Sequence, residues 1–218
     1  MASAGEWRDS EAFVFDVEGT LVDAVPPTLH CWHDTLQAAG HAVDLGALHR
    51  LSGMDGDKML RHLLPDLDSR EREQLIKKQG RRYRTHGLPK VRPFGGVREL
   101  FLALKARSRR LAIATDCDRD ELRHYLDLLG IDDLLDTIAC GDDVDHGKPE
   151  PDLPMLAMQR LQAPSGVMIG DTPFDAQAAR SVGLAALGVL TGGFEEADLL
   201  AAGCAAVFAD LPALRAAI

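Results

Sequence analysis

The chain has 218 residues, 46% of them hydrophobic, and a formal net charge of −10 at pH 7. The hydrophobic content argues against a disordered chain, and the acidic balance makes nucleic acid and anionic membrane surfaces poor partners. The longest nearly uncharged apolar stretch, residues 182–190, is far too short to span a bilayer.

Six short apolar runs have the length of buried β-strands. In chain order they cover residues 12–15, 111–114, 137–140, 167–169, 185–189 and 205–208. Helical patterns lie between most of them, at residues 96–106, 119–129, 152–161, 174–182 and 195–202. This alternation predicts an α/β fold with a doubly wound parallel sheet.

The long interval between the first two strands breaks this rhythm. It shows helical patterns at residues 28–39, 57–64 and 69–84 and no convincing strand. We therefore predict two domains: a core formed by residues 1–23 and 93–218, and a helical cap formed by residues 24–92. Such a cap is joined to the core by two linkers, so it can open and close over the core.

Polar side chains follow several of the predicted strands at the point where each strand ends. Asp16 and Thr115 come directly after the first and second strands, Asp171 follows the fourth after Gly170, and Lys148 lies a few residues beyond the third. Ligands of open parallel sheets bind outside the carboxyl ends of the strands. We therefore expect these four side chains to lie around one site.

The residue types at this edge are suited to phosphoryl transfer. Asp16 and Asp171 are hard oxygen ligands of the kind that Mg²⁺ takes, and Lys148 and Thr115 offer a positive charge and a hydroxyl. The turn at 17–20 can offer backbone N–H groups to an anion, with Gly19 allowing close approach. In such a site, positioning and charge neutralisation supply most of the acceleration.

The turn after the first predicted strand carries two carboxylates, Asp16 and Glu18, which can perform different tasks. An ionised, metal-bound Asp16 can attack phosphorus, because a carboxylate is a nucleophile. The longer Glu18 can protonate the leaving oxygen and later activate a water molecule.

Four motifs, in order, resemble those of the haloacid dehalogenase superfamily. They are DVEGTLVD at 16–23, IATD at 113–116, HGKPEP at 146–151 and IGDTPFD at 169–175. Their order and spacing resemble the helical-cap subgroup, and within it the phosphoglycolate-phosphatase-like enzymes. The resemblance implies a Rossmann-like core and a phosphatase that hydrolyses a small phosphorylated metabolite with Mg²⁺ as cofactor.

The resemblance also implies roles for single residues. Asp16 would be the nucleophile that becomes an aspartyl-phosphate. Asp16, the backbone carbonyl of Glu18 and Asp171 would hold Mg²⁺. Thr115 and Lys148 would bind phosphoryl oxygens. Asp175 would lie beside the metal ligands and Lys148.

Two residues depart from the usual family pattern. Glu18 stands where the family usually has Asp, and Asp116 stands where it usually has Asn in the phosphate-binding loop. Asp116 would then bind phosphate through its backbone N–H, with its carboxylate pointing away. These departures leave a second hypothesis open, a catalytically weak or inactive relative that acts as a phosphate-binding module.

Other activities of the superfamily fit the sequence less well. Glu18 together with Asp171 argues against a dehalogenase. A sugar-phosphate mutase is a lesser alternative, because Thr28 and Gly56 stand where mutases carry a His and an Arg. The resemblance places the cap loop near the substrate, and we expect Gly53, Met54, Asp57 and Lys58 to set substrate specificity.

The N-terminal residues and the cysteines bear on location and assembly. Acidic residues interrupt any pattern of a secretion signal near the N-terminus, and the four cysteines form no C-x-x-C pair. We therefore expect a cytoplasmic protein with reduced thiols that works as a monomer or homodimer.

Overall fold

The computed structural model describes residues 6–218, and its centre is a six-stranded parallel sheet. The strands are β1 (Ala12–Phe15), β2 (Arg110–Ala114), β3 (Thr137–Ala139), β4 (Gly166–Gly170), β5 (Ala185–Val189) and β6 (Ala206–Phe208). Their order is β3-β2-β1-β4-β5-β6, so the strand order reverses between β1 and β4. This arrangement confirms the predicted doubly wound α/β fold.

Helices cover both faces of this sheet. They are α5 (Val97–Ala106), α6 (Arg119–Leu129), α7 (Asp152–Leu161), α8 (Pro173–Ser181), α9 (Glu196–Ala202) and α10 (Leu211–Ala217). Successive residues of β1 point to opposite faces. Phe13 and Phe15 pack in the apolar cluster with α5, α6 and α10, whereas Ala12 and Val14 pack in the cluster with α7, α8 and α9. The sheet is therefore buried on both sides, as its uninterrupted apolar strands predict.

Between β1 and α5 the chain forms a separate helical layer. Its helices are α1 (Val25–Ala38), α2 (Leu45–His49), α3 (Gly56–Leu63) and α4 (Ser69–Arg82), and a π-helical turn (Tyr83–Gly87) follows α4. This layer has an apolar cluster of its own, built around Trp32, Leu36, Leu48, Leu60 and Leu75. The shared cluster explains why four short helices stay together away from the sheet.

Two segments join this layer to the sheet, and they run side by side. The N–H of Asp23 donates to the carbonyl of Arg92 at 2.8 Å, and the N–H of Phe94 donates to the carbonyl of Leu21 at 2.9 Å. The two linkers are therefore hydrogen-bonded to each other where they pass between the sheet and the helical layer.

The observed helices differ from the predicted ones mainly at their ends. Helix α1 begins at Val25 rather than Thr28, because Pro26 and Pro27 occupy its first turn, where a missing N–H is tolerated. Helices α2 and α10, of five and seven residues, were not predicted, because short segments show periodicity only weakly. None of the helices within residues 6–218 combines the length and apolar character that a membrane span requires.

Candidate active site

Three buried carboxylates meet at the carboxyl edge of β1 and β4. Asp16 follows β1, Asp171 follows β4, and Asp175 lies in the first turn of α8. One carboxylate oxygen from each lies within 4.8 Å of the others. The two strands are direct neighbours, with Phe15 opposite Ile169, so the residues that follow them are brought together by the sheet itself.

Lys148 is the buried cation of this cluster. Its Nζ lies 2.6 Å from Asp16 Oδ1, 2.8 Å from Asp175 Oδ1 and 3.4 Å from Asp116 Oδ2. Burial alone would lower the pKa of Lys148, but the three carboxylates hold it well above its usual value. Lys148 is therefore charged, and it places one positive charge against the carboxylate of Asp16.

Burial acts in the opposite direction on the acids. It raises the pKa of Asp16 to about 7, although the charge of Lys148 opposes this shift. Burial likewise raises the pKa of Asp116 to about 6 and that of Asp171 well above its usual value. The cluster therefore holds more acidic groups than one lysine can keep ionised.

Asp171 has one satisfied and one free carboxylate oxygen. Oδ1 accepts a hydrogen bond from Thr20 Oγ1 at 2.8 Å, whereas Oδ2 is buried without a partner among the described residues. Gly19 and Gly192 flank Oδ2 so closely that a Cβ on either would overlap it. The absence of a Cβ at both glycines therefore leaves the space that the Asp171 carboxylate occupies.

A divalent cation fits this donor set. An unpartnered buried carboxylate oxygen is costly, and hard oxygen ligands in excess of the local positive charge are what Mg²⁺ and similar ions take. Asp175 is already held by Lys148 and by Thr172 Oγ1, at 2.8 and 2.7 Å. Asp16 and Asp171 are therefore the carboxylates whose oxygens remain available to coordinate a metal.

The residues after β2 are partly as predicted. Thr115 is buried and lines the cleft, and it does not cap α6, because Asp118 does so by accepting from Glu121 N at 2.8 Å. We expected the carboxylate of Asp116 to point away from the site, but it does not. Its Oδ1 accepts from the backbone N–H of Lys148 at 2.9 Å, and this bond fixes the loop that carries Lys148.

The amide of Gly19 takes part in the turn after β1. Its N–H donates to the carbonyl of Val22 at 2.9 Å, and phosphate binding at Gly19 stays a prediction. The φ of +84° explains why glycine is needed there, since other residues rarely adopt that conformation.

Glu18 lies at the mouth of this site, with its carboxylate held by a residue that the motifs did not indicate. Its Oε1 accepts a hydrogen bond from Tyr125 Oη at 2.8 Å, and Tyr125 Oη lies 2.5 Å from Tyr83 Oη. Burial raises the pKa of Glu18 above its usual value, although the bond from Tyr125 opposes the shift.

The four predicted specificity residues divide into two pairs. Gly53 and Met54 line the cleft, whereas Asp57 and Lys58 do not. Asp57 is paired with two arginines of the helical layer, and Lys58 with Glu150 at 2.9 Å. The helical turn of α3 explains this, because it directs Gly56 and Met59 into the cleft and the two residues between them elsewhere.

The site opens into a cleft of about 400 Å³ between the sheet edge and the helical layer. Two contacts hold the layers close beside it. Asp55 N donates to the carbonyl of Lys148 at 3.2 Å, and His49 Nε2 lies 2.9 Å from the carbonyl of Gly192. The cleft is therefore enclosed by both layers, with the carboxylate cluster and Lys148 on the side of the sheet.

Comparisons with known proteins identify relatives of this chain. The family model "Haloacid dehalogenase-like hydrolase" matches residues 13–189. The phosphorylated carbohydrates phosphatase of Thermotoga maritima is 28% identical over 179 residues, covering 80% of this chain and 82% of that protein. The phosphoglycolate phosphatase of Xylella fastidiosa is 31% identical over 183 residues, covering 82% and 80%. The crystal structure of a hydrolase from Pseudomonas syringae superposes with a TM-score of 0.88 at 30% identity, covering 94% of this chain and 95% of that one.

Proposed function

The chain belongs to the haloacid dehalogenase-like hydrolases, and on that premise we propose that it is a Mg²⁺-dependent phosphatase acting on a small phosphorylated metabolite. The observation that carries the proposal is the contact between Lys148 Nζ and Asp16 Oδ1 at 2.6 Å, in a buried site with a free carboxylate oxygen on Asp171. Together they provide a nucleophile, a fixed positive charge and room for a cation.

In the first step, a carboxylate oxygen of Asp16 attacks phosphorus and the bond to the leaving oxygen breaks. Lys148 orients Asp16 and favours its ionised form, because it contacts Oδ1 directly. Glu18 donates a proton to the leaving oxygen, and burial raises its pKa, which favours the protonated form. The product of this step is an aspartyl-phosphate on Asp16 and a free alcohol.

In the second step, Glu18 accepts a proton from water as the water oxygen attacks phosphorus. The bond between phosphorus and Asp16 breaks, which releases phosphate and restores the carboxylate. Asp16, Asp171 and the backbone carbonyl of Glu18 would hold Mg²⁺, which supplies charge neutralisation for the phosphoryl oxygens. Thr115, which is buried beside the cleft, would bind a phosphoryl oxygen through its hydroxyl.

The domain assignment is part of this proposal. We assign residues 24–92 to a cap and residues 1–23 and 93–218 to the core. The separate apolar cluster of the helical layer and the paired linkers support this division. An inactive phosphate-binding relative is the alternative, and it rests on Glu18 and on Asp116, whose carboxylate lies beside Lys148.

Phosphate release from p-nitrophenyl phosphate tests the proposal. We expect turnover with Mg²⁺, none in excess chelator, and none in Asp16→Asn, which keeps the size of the side chain. The wild-type protein, quenched in acid during turnover, should carry one phosphate on the peptide that contains Asp16. Turnover by Asp16→Asn at the wild-type rate would refute the mechanism, and a folded wild-type protein without turnover would favour the inactive relative.

A further inference from the structure

The cap side of the cleft is apolar. It is lined by Leu29, Trp32, Leu51, Met54, Met59 and Ile76. Four of these side chains are only half-buried, so they keep apolar surface facing the space next to the phosphate site. This surface is continuous with the carboxylate cluster through one cleft, and the part of a substrate beyond its phosphate has to lie against it.

The cations on the cap side lie at the rim and already have acidic partners. Lys77 and Arg84 are both exposed, Lys77 pairing with Glu73 and Arg84 with Asp118 at 3.0 Å. Among the residues described, the third cation that lines the cleft is Lys148, which three carboxylates surround. A second anionic group on a substrate would meet no unpaired cation in this part of the chain.

Neutral hydrogen-bonding groups are also few on this side. The hydroxyl of Ser52 donates to the carbonyl of His49 at 2.9 Å and is therefore engaged. The hydroxyl of Tyr83 is engaged with that of Tyr125, so Thr28 and Gln79 remain as neutral polar side chains at the cleft. The hydroxyl groups of a sugar buried here would lose water without gaining enough partners.

We propose that the alcohol part of the substrate is a mainly apolar ring or branched chain, rather than a sugar or a hydroxy acid. The inference rests on the proposed phosphatase function and names its substrate class. A site built this way gains from apolar contact and rejects groups whose hydrogen bonds it cannot satisfy.

A matched substrate pair tests this proposal. Cyclohexylmethyl phosphate has the shape of a hexose 6-phosphate without its hydroxyl groups. We expect its kcat/KM to exceed that of glucose 6-phosphate and of 2-phosphoglycolate by at least ~10-fold. Ile76→Ser should lower kcat/KM for cyclohexylmethyl phosphate more than for methyl phosphate, which is too small to reach the wall. Leu45→Ser, at an exposed position outside the cleft, should change neither.

A preference for glucose 6-phosphate or 2-phosphoglycolate would overturn the substrate class while leaving the phosphatase in place. Absence of turnover with every substrate, p-nitrophenyl phosphate included, would overturn the phosphatase itself. The two failures therefore give different results in the same assay.

A second, independent observation concerns how Glu18 is held. The chain has two tyrosines, Tyr83 in the helical layer and Tyr125 on α6. Both are buried near the carboxylate of Glu18. An ionised carboxylate only accepts hydrogen bonds, so Tyr125 donates to Glu18 Oε1. The one hydroxyl proton of Tyr125 is therefore engaged with Glu18, so Tyr125 Oη accepts from Tyr83, and Tyr83 is the donor in that contact.

This chain of hydrogen bonds selects one oxygen of Glu18. Oε1 accepts from Tyr125, so a proton carried by Glu18 lies on Oε2. An aspartate at this position would be shorter by about 1.5 Å, one C–C bond, and would not reach Tyr125 from the same backbone. The glutamate and the two tyrosines therefore form one arrangement.

We infer that Tyr125 is a positioning residue for the acid/base Glu18, and that Tyr83 links this position to the cap. The role explains why glutamate stands where the family pattern has aspartate. Because Tyr83 follows α4 directly, a displacement of the helical layer would remove the donor to Tyr125.

A double-mutant cycle tests the inference. Tyr125→Phe should lower kcat ~10-fold with little change in KM, and more for alkyl than for aryl phosphates, since a poor leaving group needs the proton. In the Glu18→Asp background, Tyr125→Phe should have almost no further effect. Tyr83→Phe should give a smaller loss of the same kind.

A measurement without turnover completes the test. With tyrosine labelled at Cζ, the protein gives two ¹³C signals, and Glu18→Asp should shift the signal that Tyr125→Phe removes. Equal losses of kcat from Tyr125→Phe in both backgrounds, or an unshifted signal, would overturn the inference. Unequal losses together with a shifted signal support it.

Discussion

Replacing Lys148 with methionine removes the charge at the centre of the site and keeps most of the side chain's volume. The ammonium group contacts Asp16 at 2.6 Å and Asp175 at 2.8 Å, and all three side chains are buried. Loss of one positioned electrostatic stabiliser lowers kcat by ~10²–10³-fold, or about 2.7–4 kcal/mol. We expect a loss of that size, because Asp16 and the phosphate would then repel each other with one counter-charge fewer.

The same substitution should change how stability depends on pH. The pKa of Asp16 in the folded protein is about 7, above its value in the unfolded chain, so the native state binds more protons and stability falls as pH rises toward 7. Without Lys148 that pKa rises further. In chelator, the melting temperature of Lys148→Met should therefore fall more steeply between pH 6 and pH 8 than that of the wild type.

Steady-state kinetics with p-nitrophenyl phosphate and thermal melts at the two pH values measure both effects. Lys105→Met is the matched control, since Lys105 is paired with Asp136 and does not line the cleft, and it should retain kcat within ~3-fold. A folded Lys148→Met protein with kcat close to that of the wild type would show that Lys148 does not stabilise the reaction.

Three further predictions concern the metal, a glycine and a distant ion pair. Ca²⁺ should suppress turnover in a competition assay with Mg²⁺, because it takes more ligands at longer distances; undiminished activity in Ca²⁺ alone would contradict this. Gly192→Ala should lower kcat by ~10–100-fold, since its Cβ would displace Asp171, whereas Gly95→Ala, with open space around it, should not. Burial opposes ionisation of Asp143, but two arginines and a backbone N–H lower its pKa to about 2. Asp143→Asn should therefore destabilise the protein by about 1–2 kcal/mol at pH 7, a difference that disappears as pH falls from about 4 to about 2 in urea melts.

Much of the sheet and several site residues could be predicted from the sequence. The run 12–15 was predicted as a strand with its exact ends, because four apolar residues followed by Asp16 mark both a buried strand and the edge where it stops. The four motifs, taken in order, also predicted the family and the enzyme class, which the comparisons confirm. Strand ends and motif residues are local features, and local features can be read from the chain.

Other parts of the site depend on residues far apart in sequence. Tyr125 lies 107 residues from Glu18, and Thr20 lies 151 residues from the Asp171 that it contacts. Gly192 lies in a turn after β5, and only the position of Asp171 shows why a Cβ is excluded there. No local pattern distinguishes these residues from others of their type.

The sequence by itself determined the alternation of strands and helices, the apolar faces and the acids and lysine of the motifs. These follow from short-range periodicity and from residue types that phosphoryl transfer needs. The tertiary structure decided which oxygen of each carboxylate is free, which N–H of the first turn is already taken, and which side of α3 faces the cleft. Those depend on packing between β1, β4 and the helical layer, because a hydrogen bond forms only when two distant groups are brought within about 3 Å.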